Sequence, residues 1–283
     1  MKTIITHISP HFDEIFAIWA LGNFDPEFKE IEVKFKPTNP QGGEVPLDQV
    51  DQDPNVLYLG IGRGKFDEHK LSKEDAANTT VASLVWDDIK ARGLAPQDPA
   101  KVKGIEKLLH YVVMDDLGQL RPIGHWLIDY SLSALWSGFS QVERGDSNKK
   151  LEFGTHIMTY MYTYLTNTAL AEEELKNGQQ FDTPWGKGVA VSTDVGIVPD
   201  VAYRQGYAIV VNITKKLGYH LILGRTDSEV DLTEAYEKAQ LADPEADWYL
   251  HQSKRMLISG SHSAPKVKIS TLPLDKMIDL VKI

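Results

Sequence analysis

From residue 4 to residue 59, short apolar runs alternate with a helical stretch, and this alternation restricts the chain to few architectures. Ile4-Ile5 ends in a polar loop, and Asp13 then opens a segment with apolar residues at Ile15, Ile18, Trp19 and Leu21. That order is strand, loop, helix. Asn23 and the Asp25-Pro26 pair stop the helix. Ile31, Val33 and Phe35 alternate as a strand does, and Val56-Leu57-Tyr58-Leu59 reads as a buried strand entering the glycine loop Gly60-Ile61-Gly62-Arg63-Gly64. Residues 80–92 and 102–110 carry helical patterns, and Tyr111-Val112-Val113-Met114 reads as another strand. Strands separated by helices predict an α/β fold: an N-terminal domain with a parallel sheet and helices on both faces. Ligands of such sheets sit beyond the carboxyl ends of the strands. That rule selects residues 6–13, 60–69 and 115–118.

The polar, turn-rich stretch 145–150 predicts a linker, followed by a long helix over 155–176. Met158, Met161, Tyr162 and Leu165 on that helix form a packing stripe, which could also face a second copy of the chain. Beyond residue 188 the texture changes to strands at 189–191, 207–211 and 219–223, with helices over 232–241 and 272–281. The expected organisation is a domain over 1–145, a linker and connecting helix over 146–180, and a smaller α+β C-terminal domain over 181–283.

Composition narrows the function classes. Of 283 residues, 42% are hydrophobic and 25% charged, as in a globular chain. There is no cysteine, which excludes disulfides, thiolate metal sites and cysteine nucleophiles. Lys+Arg 30 against Asp+Glu 40 gives a net charge of −10, unfavourable for long duplex DNA or an anionic membrane. The sequence has no apolar run long enough to span a bilayer and no signal core near Met1, so the expected location is the cytoplasm.

Chemistry concentrates in three clusters. His7, His11 and Asp13 have the spacing His-x3-His-x-Asp between a strand and a helix. Imidazole and carboxylate together suit Mn, Fe, Co or Zn, although an Asp N-cap beside two loop histidines would read the same way. Lys65-Phe66-Asp67-Glu68-His69 offers two carboxylates and an imidazole, or a solvated charge run. Asp115-Asp116-Leu117-Gly118 offers an acidic pair at an expected strand end, or a turn. The glycine loop lacks the spacing of a phosphate-binding loop and reads as a sharp backbone turn. Close carboxylates repel, and a divalent cation relieves that repulsion.

In this order the clusters resemble the DHH phosphoesterase superfamily, and within it the MYG1-like branch of metal-dependent hydrolases and exonucleases. Thr6-His7 and His11-Phe12-Asp13-Glu14 match the opening motif. Lys65-Phe66-Asp67-Glu68-His69 looks like the Asp-His-His segment, Ala82-Ser83-Leu84-Val85-Trp86 like the helix after it, and Met114-Asp115-Asp116-Leu117-Gly118 like a later Asp-containing motif. Ser259-Gly260-Ser261-His262-Ser263 resembles the closing segment. The resemblance implies one or two metals, most often manganese, held by His7, His11, Asp13, Glu68 and Asp115. It implies catalytic roles for Asp67 and His69, with His69 contacting substrate phosphate. The C-terminal domain would bind substrate, and Ser261, His262 and Lys266 could form its phosphate pocket. Arg204, Lys215 and Arg225 read as solvated charges, and His110, His125, His156 and His220 as structural.

Two departures stand out. Gly60 occupies the place of an aspartate that bridges two metals in the family, with Asp51 or Asp53 as distant substitutes, and Glu68 replaces a histidine. The leading reading is a metal-dependent phosphoesterase that hydrolyses a phosphate ester or phosphodiester with a metal-activated water. Its substrate would be a phosphorylated small molecule or a short single-stranded nucleic acid. The alternative is a catalytically silent relative that binds a metal or a phosphorylated ligand; a structural protein without such a site is a third class.

Overall fold

The computed structural model describes residues 1–37, 45, 47–76, 78–120 and 131–283. The described chain divides into two compact units, Met1–Thr166 and Asn167–Ile283. His125 lies outside the described residues.

The first unit is built on a three-stranded sheet in the order β2-β1-β3, with β1 Lys2–His7, β2 Ile31–Lys36 and β3 Val56–Tyr58. Both neighbours run parallel to β1, as the α/β pattern requires. The helix α1 Phe12–Phe24 follows β1 and is buried from Phe12 to Leu21, so it is apolar on nearly every side. It ends where the Asp25 N–H donates to Leu21 O and Pro26 turns the chain away. A short helix α2 Lys73–Ala76 precedes α3 Val81–Ala91 and α4 Pro99–Asp116, followed by α5 Leu132–Val142. Phe16, Trp19, Trp86, Ile89, Ile105, Leu108 and Met158 form the main core with Ile4 and Leu59. On the other side of the sheet, Ile5 and Val56 pack with Tyr58, Val45, Val50 and Ile61.

The expected strand at 111–114 is instead the last turn and a half of α4. Ile105, Leu108 and Val112 are fully buried at helical spacing, and Pro99 after the Asp98 cap starts the helix in register. Two β-branched valines cannot override that periodicity. The expected linker is also helical: α6 runs from Ser147 to Lys176, with Gly145 at φ 79° and Asp146 turning the chain into it. The turn-rich stretch is a helix start, and Ser147 and Lys150 are buried.

The second unit carries a six-stranded sheet, β4-β5-β6-β7-β9-β8. Its strands are β4 Gln179–Thr183, β5 Gly186–Ser192, β6 Ile209–Ile213, β7 His220–Gly224, β8 Tyr249–Leu250 and β9 Met256–Ser259. β5 and β6 are parallel, joined through α7 Val198–Arg204; the other pairs are antiparallel. Strand alternation buries both faces. Val189, Val191 and Val210 pack on α7, while Ala190, Ile209 and Val211 pack toward α8 Thr233–Ala242 and α9 Leu274–Asp279. His220 is buried with its two ring nitrogens on the carbonyls of Gly218 and Leu272, a structural role. Among the described residues, no helix is long and apolar enough to cross a membrane.

Asp25 joins the end of α1 to α3. Its buried carboxylate accepts from Glu27 N at 3.0 Å and from the Arg92 guanidinium at 2.6 Å. Asp25→Ala removes both bonds and is expected to lower stability by about 2 kcal/mol in urea unfolding. An unchanged midpoint would show that this joint is not needed.

Candidate metal centre

Parallel pairing puts the ends of β1 and β3 on one edge of the first sheet, and the cavity lies there. Its volume is about 900 Å³, and His7, Ser9, His11, Asp13, Glu14, Gly60, Arg63, Asp67, Glu68, His69 and Asp116 line it. Three triads bring ligand atoms within 4.8 Å of one another: His7, His11 and Glu14; His11, Asp13 and Asp116; Asp67, Glu68 and His69.

The strand-to-helix turn sets the first group. His11, not Asp13, is the N-cap of α1, which places Asp13 and Glu14 in the first turn with both side chains buried. Glu14 Oε2 accepts from the His11 backbone N–H at 2.8 Å, and Glu14 Oε1 meets His7 Nε2 at 2.8 Å. His7 Nδ1 faces the carbonyl of Ile8 at 2.9 Å. Both ring nitrogens therefore face acceptors, which suits an imidazolium. Burial disfavours that charge, but the Glu14 hydrogen bond and carboxylate outweigh it, so the His7 pKa is raised. Burial would likewise raise Glu14, yet the bond to His7 and its charge hold it at about 2.

Asp13 is the opposite case. Burial pushes its pKa well above the ordinary carboxylate range, and the charges of Glu14, Asp116 and Glu68 push the same way. Burial also raises Glu68 and Asp116. Asp13 Oδ1 and Glu68 Oε2 are buried without a hydrogen-bond partner. Unpartnered oxygens in a set of repelling acids are what a divalent cation satisfies, so the donor set fits a metal. Imidazole with carboxylate suits Mn²⁺ among other divalent ions.

The second cluster divides by role. Asp67 accepts from Arg63 N at 2.6 Å, from His69 N at 3.0 Å and at His69 Nδ1 at 2.9 Å. This carboxylate is engaged on both oxygens, and Oδ1 holds the His69 ring. With Nδ1 held by Asp67, the other ring nitrogen of His69 is left for the cavity. Burial opposes protonation of His69, but the bond to Asp67 and the charge of Glu68 raise its pKa on balance.

In the third cluster the lining residue is Asp116, whereas Asp115 accepts from Ser133 Oγ at 3.1 Å. The cause is the helix. Successive residues point about 100° apart on it, so two adjacent acids cannot share one target. Asp51 and Asp53 are bound locally, to Lys65 N and Asn55 N.

Gly60 has φ 62°, and a Cβ there would lie 2.6 Å from Glu14 Oε1 and 3.1 Å from Val81 Cγ2. The Glu14 carboxylate thus fills the space a side chain at position 60 would take. Ser9, Glu14, Arg63 and Asp116 are polar lining residues outside the set expected from sequence. The signal for Glu14 is its place as the third helical residue after a turn, and that for Arg63 is a cation inside the glycine loop.

In the second unit, Ser261 lines a separate cavity of about 340 Å³ with Trp248, Tyr249 and Ile258. His262 packs edge-on against Tyr219 at 5.5 Å between ring centres, and Lys266 is exposed. Neither lines that cavity.

No protein-family model and no curated protein matches the sequence. Among solved structures, a DHH domain described as a member of a family of ribosomal proteins aligns with 100% of this chain and 87% of its own. The identity is 12% and the TM-score 0.32. RecJ from Thermus thermophilus, solved in complex with Mg²⁺, aligns with 99% of this chain and 48% of its own, at 12% identity and TM-score 0.29.

The Gly60 contact has a measurable consequence. Gly60→Ala adds left-handed strain and displaces Glu14 from His7, with an expected loss of about 2 kcal/mol. In a Glu14→Ala background the same change should cost about 1 kcal/mol, from the backbone strain and the remaining Val81 contact. Equal losses in the two backgrounds, measured by denaturant unfolding, would show that the two positions do not compete for space.

Proposed function

We propose that this chain is a divalent-metal-dependent phosphoesterase, with Mn²⁺ as the preferred ion and a small nucleotide or short oligonucleotide as substrate. The observation that carries this reading is one cavity in which buried, unpartnered oxygens of Asp13 and Glu68 meet His11, Glu14 and Asp116. The order of the sequence motifs, with its resemblance to DHH phosphoesterases, supports it.

His11, Asp13 and Asp116 would hold the ion, with Glu14 or Glu68 completing the set. A divalent ion there acidifies water and offsets negative charge on phosphoryl oxygens. Glu14 stands in for the carboxylate missing at position 60, delivered from α1 instead of the end of β3. His69, oriented through Nδ1 by Asp67, presents Nε2–H to a phosphoryl oxygen. Arg63 is exposed on the cavity wall and offers a fork of donors to the same group. The net charge of −10 favours a short substrate over long duplex DNA.

A second reading, a silent relative that binds metal without turnover, is favoured by the pairing of His7 with Glu14. Each satisfies the other, which removes His7 from an open ligand set.

Metal binding and turnover separate the readings. Mn²⁺ at about 100 times its dissociation constant should stabilise the protein by about 2.7 kcal/mol in thermal unfolding. His11→Ala, Asp13→Asn and Asp116→Ala should each weaken Mn²⁺ binding about 100-fold or more, whereas Asp115→Asn should leave it unchanged. Turnover of nucleotides or short oligonucleotides in Mn²⁺, lost with the same variants, supports the phosphoesterase. Stabilisation without turnover across a phosphate-ester panel supports the silent relative. No stabilisation by any divalent ion overturns both.

A further inference from the structure

Ser9 lies at φ 59°, a backbone conformation in which glycine is unstrained and an L side chain is not. It nevertheless lines the metal-centre cavity. Helix α6 reaches it with two groups. Ser147 Oγ accepts from the Ser9 backbone N–H at 2.9 Å, and Lys150 Nζ donates to Ser9 Oγ at 2.9 Å and to Ser9 O at 3.5 Å.

Lys150 is 9% exposed, and among the described residues no carboxylate forms an ion pair with it. Its ammonium lies 5.1 Å from the Trp136 ring centre, a further sign that the charge is held away from water. The charge of Glu14 reaches Lys150 but no carboxylate touches it, and a buried cation without a contacting anion is an unfavourable arrangement that a bound anion corrects. The bonding at Ser9 says where that anion would sit. Oγ accepts from Lys150, so its own O–H is left for an acceptor, and the open side of Ser9 is the cavity. A hydroxyl polarised by an ammonium is a stronger donor than an isolated one.

We propose that Ser9 and Lys150 form an oxyanion subsite that receives a non-bridging oxygen of a phosphate group beside the metal centre. The subsite rests on the metal-dependent reading and assigns the group that meets the side of the substrate anion away from the ion. The acids Asp13, Glu14, Glu68 and Asp116 repel a phosphate, so orientation requires a positive wall. Lys150 with Ser9 supplies one from α6, 141 residues along the chain from Ser9 itself. The bonds to the Ser9 backbone N–H and carbonyl hold the 7–11 loop and survive in a glycine variant, whereas the bond to Oγ belongs to the subsite.

Calorimetry with Mn²⁺ alone, and then with inorganic phosphate added to the Mn²⁺-loaded protein, tests this. Ser9→Gly relieves the strained backbone, so it should melt at or above the wild-type temperature and bind Mn²⁺ within about twofold. Its phosphate affinity should fall about tenfold, as should that of Lys150→Met, while Lys150→Arg retains most of it. The double variant Ser9→Gly with Lys150→Met should be no weaker than the worse single one, because the pair acts as a unit. Wild-type phosphate affinity in Ser9→Gly, or no phosphate binding by the Mn²⁺-loaded wild type, overturns the subsite and leaves the metal reading intact. A parallel loss of Mn²⁺ affinity in Ser9→Gly also overturns it, since the loop is then a ligand-positioning clamp. Absence of Mn²⁺ binding in the wild type overturns the metal reading first and this subsite with it.

Discussion

One buried carboxylate joins the parts of the first unit that matter. Glu14 accepts from His7 at the end of β1, accepts from the His11 backbone at the start of α1, and occupies the space above Gly60 after β3. Three segments of the chain are thus held at one point, two of them by charge-assisted hydrogen bonds, which are roughly twice as strong as neutral ones. Helix α1 can be apolar on almost every side because its polar demands are met at this first turn. The favourable position of acids near a helix N-terminus contributes to the same arrangement.

That carboxylate also sets the electrostatics of the cavity. Glu14 stays ionised through His7, and its charge, with burial, discourages ionisation of Asp13 and Asp116. Ionising these carboxyl groups together is therefore disfavoured by burial and by their mutual repulsion. A divalent cation changes this balance at once, because each acid that ionises then gains an attractive partner in place of a repulsive one. Positive groups line the same cavity, and His69 lies directly against Glu68. His69 and Arg63 come from the loop after β3, and Lys150 comes from α6 through Ser9.

Much of this is legible in the sequence where local patterns carry it. Strand, loop and helix from Ile4 to Leu21 follow from periodicity and stop signals, and the carboxyl-end rule selects the cavity edge. The strand reading of Val112-Val113 leaves the acidic pair undivided and the family resemblance points to Asp115; the helix that begins at Pro99 places Asp116 in the cavity lining instead. The start of α6 reads as a linker because polar residues at a helix N-terminus and in a loop look alike from composition. The Ser9–Lys150 contact spans 141 residues, and no local pattern could announce it. Asp67 illustrates a further limit. Its residue type suits catalysis, but only its hydrogen-bond partners show that its oxygens are already taken.

Counting lone pairs assigns the remaining roles. An ionised carboxylate has about four acceptor positions. Asp67 has three donors on it, so little is left for an ion and its effect passes through His69. Glu14 accepts from His7 and from the His11 backbone, one on each oxygen, and a further side-chain hydrogen bond joins it to Asp13. Asp13 and Glu68 each keep a buried oxygen with nothing on it. The groups with spare acceptor capacity are thus Asp13 and Glu68, and they line one cavity with Glu14 and the exposed Asp116. The groups with donors, His69, Arg63 and Ser9, line the same cavity. A cation on the first set and an anion on the second would each complete what the other leaves open, the arrangement a phosphate ester bridging a divalent ion requires.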